Sequence, residues 1–75
     1  MTQKETIVYE AVRKIINRRK AECKSPECAL LREITEALTG RLASHELTRI
    51  LMHLVRDKHL EYRPTMNDQS YYLTN

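Results

Sequence analysis

The spacing of apolar residues changes near His59, and that change constrains the fold more than any other feature of the chain. Leu47, Ile50, Leu51, Leu54 and Val55 form one stripe at helical spacing. Beyond His59 the period drops to two. Leu60 and Tyr62 alternate with Glu61 and Arg63, and Tyr71 and Leu73 alternate with Tyr72 and Thr74. The run Thr65-Met66-Asn67-Asp68-Gln69 between them has turn chemistry, and Pro64 ends the first strand or marks an edge. A two-stranded ribbon is marginal alone in water, so it must fold back onto helices, which the apolar half of each strand permits.

The helix before the ribbon is expected over about 45–58 with Ser44 as its N-cap, following the turn Thr39-Gly40-Arg41-Leu42-Ala43. Its outward face would carry His45, Arg49, Met52, His53 and Arg56. Upstream, Ser25-Pro26-Glu27 reads as a helix start, with Ser25 as cap and Pro26 at the first helical position. The second helix then covers about 26–39, with Leu30, Leu31, Ile34, Ala37 and Leu38 inward and Gly40 as its stop. The first helix is expected over about 4–20. Ile7, Val8, Ala11, Val12, Ile15 and Ile16 lie on one face, and Arg18-Arg19-Lys20 complement the negative pole of the helix dipole.

Seventy-five residues allow one domain with a small core, and such a chain buries only roughly 60% of the surface it exposes when unfolded. The net charge of +3 is unevenly spread: +4 over residues 1–20, −2 over 21–40, +2 over 41–63 and −1 beyond. A mildly basic balance permits nucleic-acid binding without demanding it. No apolar run approaches the ~20 residues of a membrane span, and the N-terminus lacks the apolar core of a secretory signal. Two cysteines are too few for a disulfide framework, so a cytoplasmic protein with reduced thiols is expected.

Residues 33–74 resemble the reader half of winged-helix transcription regulators of the MarR and PadR type. The likeness lies in Ile34-Thr35-Glu36-Ala37-Leu38-Thr39-Gly40 and in Leu42-Ala43-Ser44 before the next helix. It continues through Leu51-Met52-His53-Leu54-Val55-Arg56-Asp57-Lys58-His59-Leu60 and the closing Tyr71-Tyr72-Leu73-Thr74. In those families a glycine usually stands where this chain has His59. The wing tip carries Asp68 in place of the usual base.

The resemblance implies a single mostly α (α+β) domain over 1–75: a three-helix winged helix-turn-helix with a C-terminal two-stranded β wing over about 60–74. It also implies a small DNA-binding transcription regulator whose third helix enters the major groove of double-stranded DNA. Ser44, His45, Glu46, Thr48, Arg49, Met52 and His53 would then face the bases or groove, with Arg49 suited to a bidentate guanine contact. Arg41, Arg56, Arg63, Arg18, Arg19 and Lys20 would hold phosphates.

Against that stands a protein-interaction module. Met52 and the set Tyr9, Tyr62, Tyr71 and Tyr72 are residue types favoured at interfaces, so a homodimer or a protein partner stays open. Cys23 and Cys28 have no second ligand pair for zinc, and His45, His53 and His59 do not complete one, so no metal or other cofactor is expected. No Gly-rich phosphate loop, paired-carboxylate cleft or nucleophile arrangement is present, and the core is too small for a ligand pocket. An enzyme and a small-molecule substrate are not expected.

Overall fold

The computed structural model of the chain describes residues 2–25, 27–64 and 66–74. Six elements follow in order: α1 (Gln3–Ala21), β1 (Ala29–Leu30), α2 (Leu31–Ala37), α3 (Ser44–Arg56), β2 (Leu60–Pro64) and β3 (Gln69–Leu73). The three helices and a three-stranded antiparallel sheet of order β1-β3-β2 share one hydrophobic core, a mixed α+β arrangement.

α1 extends one residue beyond the expected span at each end. Its start is a capping box: the Thr2 hydroxyl accepts from the Glu5 N–H at 3.2 Å, and the Glu5 carboxylate accepts from the Thr2 N–H at 2.8 Å. Its end is a left-handed turn at Cys23 (φ 56°), where the N–H groups of Cys23 and Lys24 reach back to the carbonyls of Lys20 and Arg19. Val8, Val12, Ile15 and Ile16 are buried, while Ile7 and Ala11 sit half-buried at the margin.

The second helix differs from expectation. It begins at Leu31 rather than near residue 26, and Ser25 does not cap it; Pro26 lies outside the described residues. Residues 29 and 30 form β1 instead, pairing Ala29 with Tyr71 and Leu30 with Ser70. Packing decides this. In extended form Cys28 and Ala29 are fully buried, and the ribbon gains the third strand that a lone hairpin lacks.

The Leu30 N–H donates to Glu33 at 3.0 Å, closing the start of α2. Because α2 is only 7 residues long, its inward face is narrow. Ile34 and Leu38 are buried, but Ala37, expected inward, is exposed. Gly40 takes the left-handed conformation (φ 86°) that the turn requires.

In α3 the Ala43 carbonyl accepts the first helical bond, from the Leu47 N–H at 2.9 Å. Ala43 is therefore the N-cap, and Ser44 is the first helical residue. Leu47, Ile50, Leu51 and Leu54 are buried, and removing each from water contributes about 1.5–3 kcal/mol. The helix ends in a Schellman turn. Lys58, not His59, takes the left-handed conformation (φ 64°), and the Lys58 and His59 N–H groups bond Val55 and Leu54.

β2 and β3 form an antiparallel hairpin with Leu60 opposite Leu73 and Tyr62 opposite Tyr71. Of the expected turn, Thr65 lies outside the described residues, and Met66 stands 98% exposed. Leu60 and Tyr71 enter the core, but Tyr62, on the edge strand β2, is 40% exposed. Leu73 and Tyr72 are both half-buried, a weaker alternation than the sequence implies. The Thr74 hydroxyl contacts the carbonyls of Lys58 (2.7 Å) and His59 (3.2 Å), tying the end of the hairpin to the end of α3.

Candidate nucleic-acid interface

α3 presents its polar side to solvent because its four buried residues occupy one narrow sector. Opposite them, His45, Arg49, Met52 and Arg56 recur at intervals of four, three and four residues, which aligns them along one face. All four are exposed; the Arg49 side chain is 69% accessible and Met52 61%. No side chain caps the N-terminus of α3, so its first-turn N–H groups are not claimed by one.

The flanks of that stripe are less open. Glu46 turns toward α1 and accepts from Lys4 Nζ at 2.8 Å, with the Arg49 guanidinium 3.9 Å away. The Lys4 hydrogen bond holds the Glu46 carboxyl below its usual range. His53 lies 3.9 Å from Glu5, whose own carboxyl is held low first by the Thr2 N–H of the capping box. On the other flank, the Thr48 hydroxyl donates to the Ser44 carbonyl at 3.1 Å.

The residues expected to hold phosphates are scattered. Arg56 lies on the α3 stripe. Arg41, in the exposed turn before α3, joins Arg18 and Lys14 of α1 along an open groove of about 840 Å³ that also contains Glu10, Glu33 and Glu36. Its mixed lining gives that groove no single sign.

Arg19 is turned inward. It donates to Glu33 at 2.7 Å, with side chains only 18% and 26% accessible, and its guanidinium lies 4.0 Å from the Cys28 sulfur. This cluster joins α1 to the start of α2, so Arg19 has a structural partner. Lys20 is exposed at the end of α1, roughly 24 Å along the helix from Lys4, where α1 meets α3. Arg63 sits on the ribbon face shared with Glu61 and Tyr72, opposite the face carrying Leu60 and Tyr71. It pairs with Glu61 at 2.9 Å and lies 4.9 Å above the Tyr72 ring.

Lys4 belongs to the α3 surroundings, although nothing local in the sequence marks it; its partner Glu46 is 42 residues away. A second open groove, about 610 Å³, separates α2 from the hairpin tip and is lined by Arg32, Thr35, Glu36 and residues 66–69. Cys23 is exposed and Cys28 buried, both as free thiols. Among the described residues no group of three or more His, Cys, Asp or Glu side chains is placed to hold a metal, and no helix is long and apolar enough to cross a membrane. No protein-family model, curated protein or solved structure matches the chain.

Proposed function

We propose that this chain is a winged-helix DNA-binding domain, a small transcription regulator that reads the major groove with α3. The single observation that carries the reading is the exposed stripe His45, Arg49, Met52 and Arg56 on a helix anchored by Leu47, Ile50, Leu51 and Leu54. The order helix, turn, helix, hairpin supports it, as does the positive φ of Gly40 between α2 and α3. Arg49 is the residue for a guanine edge, and His45 and Met52 flank it. Arg41 and Arg56 bracket α3 for phosphates, and the uncapped α3 N-terminus favours an anion. Arg18 and Lys20 contribute at longer reach, while Arg19 and Glu46 are held by neighbours and contribute less; His53 is exposed at the edge of the stripe, 3.9 Å from Glu5.

The experiment is retention of a randomised duplex pool followed by a salt titration. Four phosphate contacts predict an affinity loss on the order of 100-fold between 50 and 200 mM salt. Arg49→Ala should lower affinity for the selected site by about 5- to 150-fold and relax preference at one base pair. No retention at low salt would remove the proposal.

A second reading, a protein-interaction module, is favoured by the exposure of Met52 and Tyr62. It predicts a partner complex that Met52→Glu abolishes with the fold intact.

A further inference from the structure

β2 is an edge strand of the sheet, and among the described residues no strand pairs with its other edge. Glu61, Tyr62, Arg63 and Pro64 are all exposed, four successive residues open on both faces of the ribbon. An unpaired edge is a template for another strand, and natural edges are usually defended by charged side chains, prolines or bulges. Here Pro64 closes one end of the edge, and the two charges beside Tyr62 are of opposite sign. The segment Leu60-Glu61-Tyr62-Arg63-Pro64 is self-complementary in charge about Tyr62: an acid lies on one side and a base on the other, both on the same face.

We propose that the β2 edge pairs with the β2 edge of a second copy of this chain, forming a two-fold dimer with a continuous six-stranded sheet. The register follows from charge. In an antiparallel pairing centred on Tyr62, Glu61 faces Arg63 of the second copy and Arg63 faces Glu61. A two-fold interface requires this reciprocity, residue i meeting j and j meeting i. A one-residue slip would remove those reciprocal pairs and shift every side chain to a different partner.

On the opposite face the Tyr62 ring already leans on Tyr71, with centroids 5.3 Å apart. The seam would set the two Tyr62 rings side by side, making an aromatic row of four across the dimer. The contact between Arg63 and Glu61 within one chain is solvent-exposed, with accessibilities of 63% and 49%, so exchanging it for the intermolecular pair costs little. Pro64 lacks an N–H and ends the strand, which confines the seam to five residues. The dimer rests on the ribbon alone and stands whether or not the protein binds DNA.

Sedimentation equilibrium over micromolar to millimolar protein tests it. The wild-type chain should reach twice its 8.9 kDa mass. Arg63→Glu places acids opposite acids and Glu61→Arg places bases opposite bases, so each variant alone should remain monomeric. Mixed in equal amounts they should restore the dimer, because each acid then meets a base.

Under mild oxidation, Tyr62→Cys in a Cys23→Ser background should form an intermolecular disulfide across the two-fold axis. Arg49→Ala should leave the dimer intact. A wild-type chain monomeric throughout the range, a dimer persisting in both single variants, or a mixture that stays monomeric would each overturn the proposal, as would absence of the cross-link.

Discussion

Replacing Lys58 with glycine should stabilise the protein, whereas replacing its neighbour His59 should weaken it. At φ 64° the Lys58 Cβ crowds the following carbonyl, a cost of roughly 1–2 kcal/mol that glycine avoids. Glycine in turn gives up roughly 0.5–1 kcal/mol through the greater freedom of the unfolded chain. Loss of a cation near the helix C-terminus removes about 0.3 kcal/mol more. The net gain is about 0.5 kcal/mol, or a rise of roughly 2–4 °C in Tm for a domain of this size.

Lys58→Ala is the reference. It removes the charge and keeps the strain, so glycine should exceed alanine by about 0.5–1 kcal/mol. The cap survives in every variant, because its bonds run from backbone N–H groups to Val55 and Leu54 and from the Thr74 hydroxyl to backbone carbonyls. His59 has no positive φ to relieve, and its ring meets Tyr9 edge-on at 6.2 Å. His59→Gly should therefore cost about 1 kcal/mol. Urea unfolding followed by far-ultraviolet circular dichroism measures all three. If Lys58→Gly is no more stable than Lys58→Ala, the left-handed cap is not where it has been assigned.

Leu54→Ala should cost about 2–5 kcal/mol in the same assay, a large share of the total stability of so small a domain, whereas Met52→Ala should change it by less than about 0.5 kcal/mol. Burial pushes the Tyr71 hydroxyl up from 10.0 to about 12. The folded state therefore favours the neutral phenol. That stability is complete below pH 10 and is lost as pH rises toward 12, a decline that Tyr71→Phe should reduce in alkaline melts. The Glu46 carboxyl is shifted the other way, below 4.5, mainly by Lys4. Its contribution is present above pH 4.5 and lost as pH falls through the folded value, so the Tm difference between wild type and Glu46→Gln should vanish in acid.

The sequence exposed α1, α3 and the hairpin because each carries a long, regular apolar period. Leu47, Ile50, Leu51 and Leu54 are buried as the stripe requires, with Val55 half-buried at its margin, and Leu60 and Tyr71 point inward. β1 was hidden because its two residues carry no period, and Ser25-Pro26-Glu27 offers a strong local start signal that the docking of Cys28 and Ala29 overrides. Thr2-Glu5, by contrast, is a legible capping box marking a helix start one residue before the expected span.

The candidate site was legible only in part. Helical spacing identifies the α3 stripe, but no local rule pairs Lys4 with Glu46 or turns Arg19 toward Glu33, since those contacts join residues 42 and 14 positions apart. His59 stands where the resemblance expects a glycine, but the left-handed residue of the Schellman turn is one position earlier, at Lys58.

The proposed seam and the proposed reading surface constrain each other. On the proposed reading a single α3 would offer one guanine-directed arginine and a few phosphate contacts, which is weak recognition; a two-fold dimer would double the contacts and make the target an inverted repeat. Direct readout by such a dimer on straight duplex asks that the two helices enter major grooves about 34 Å apart, one turn of the double helix. The Lys4–Glu46 pair matters in either case, because it turns the acid in the first turn of α3 toward α1. The outward stripe is then left with Arg49, Arg56 and His45 as its ionisable groups. On the proposed reading, an anionic groove would meet Arg49 and Arg56 along that line, while the nearest acid, Glu46, hydrogen-bonds Lys4 and lies 3.9 Å from Arg49.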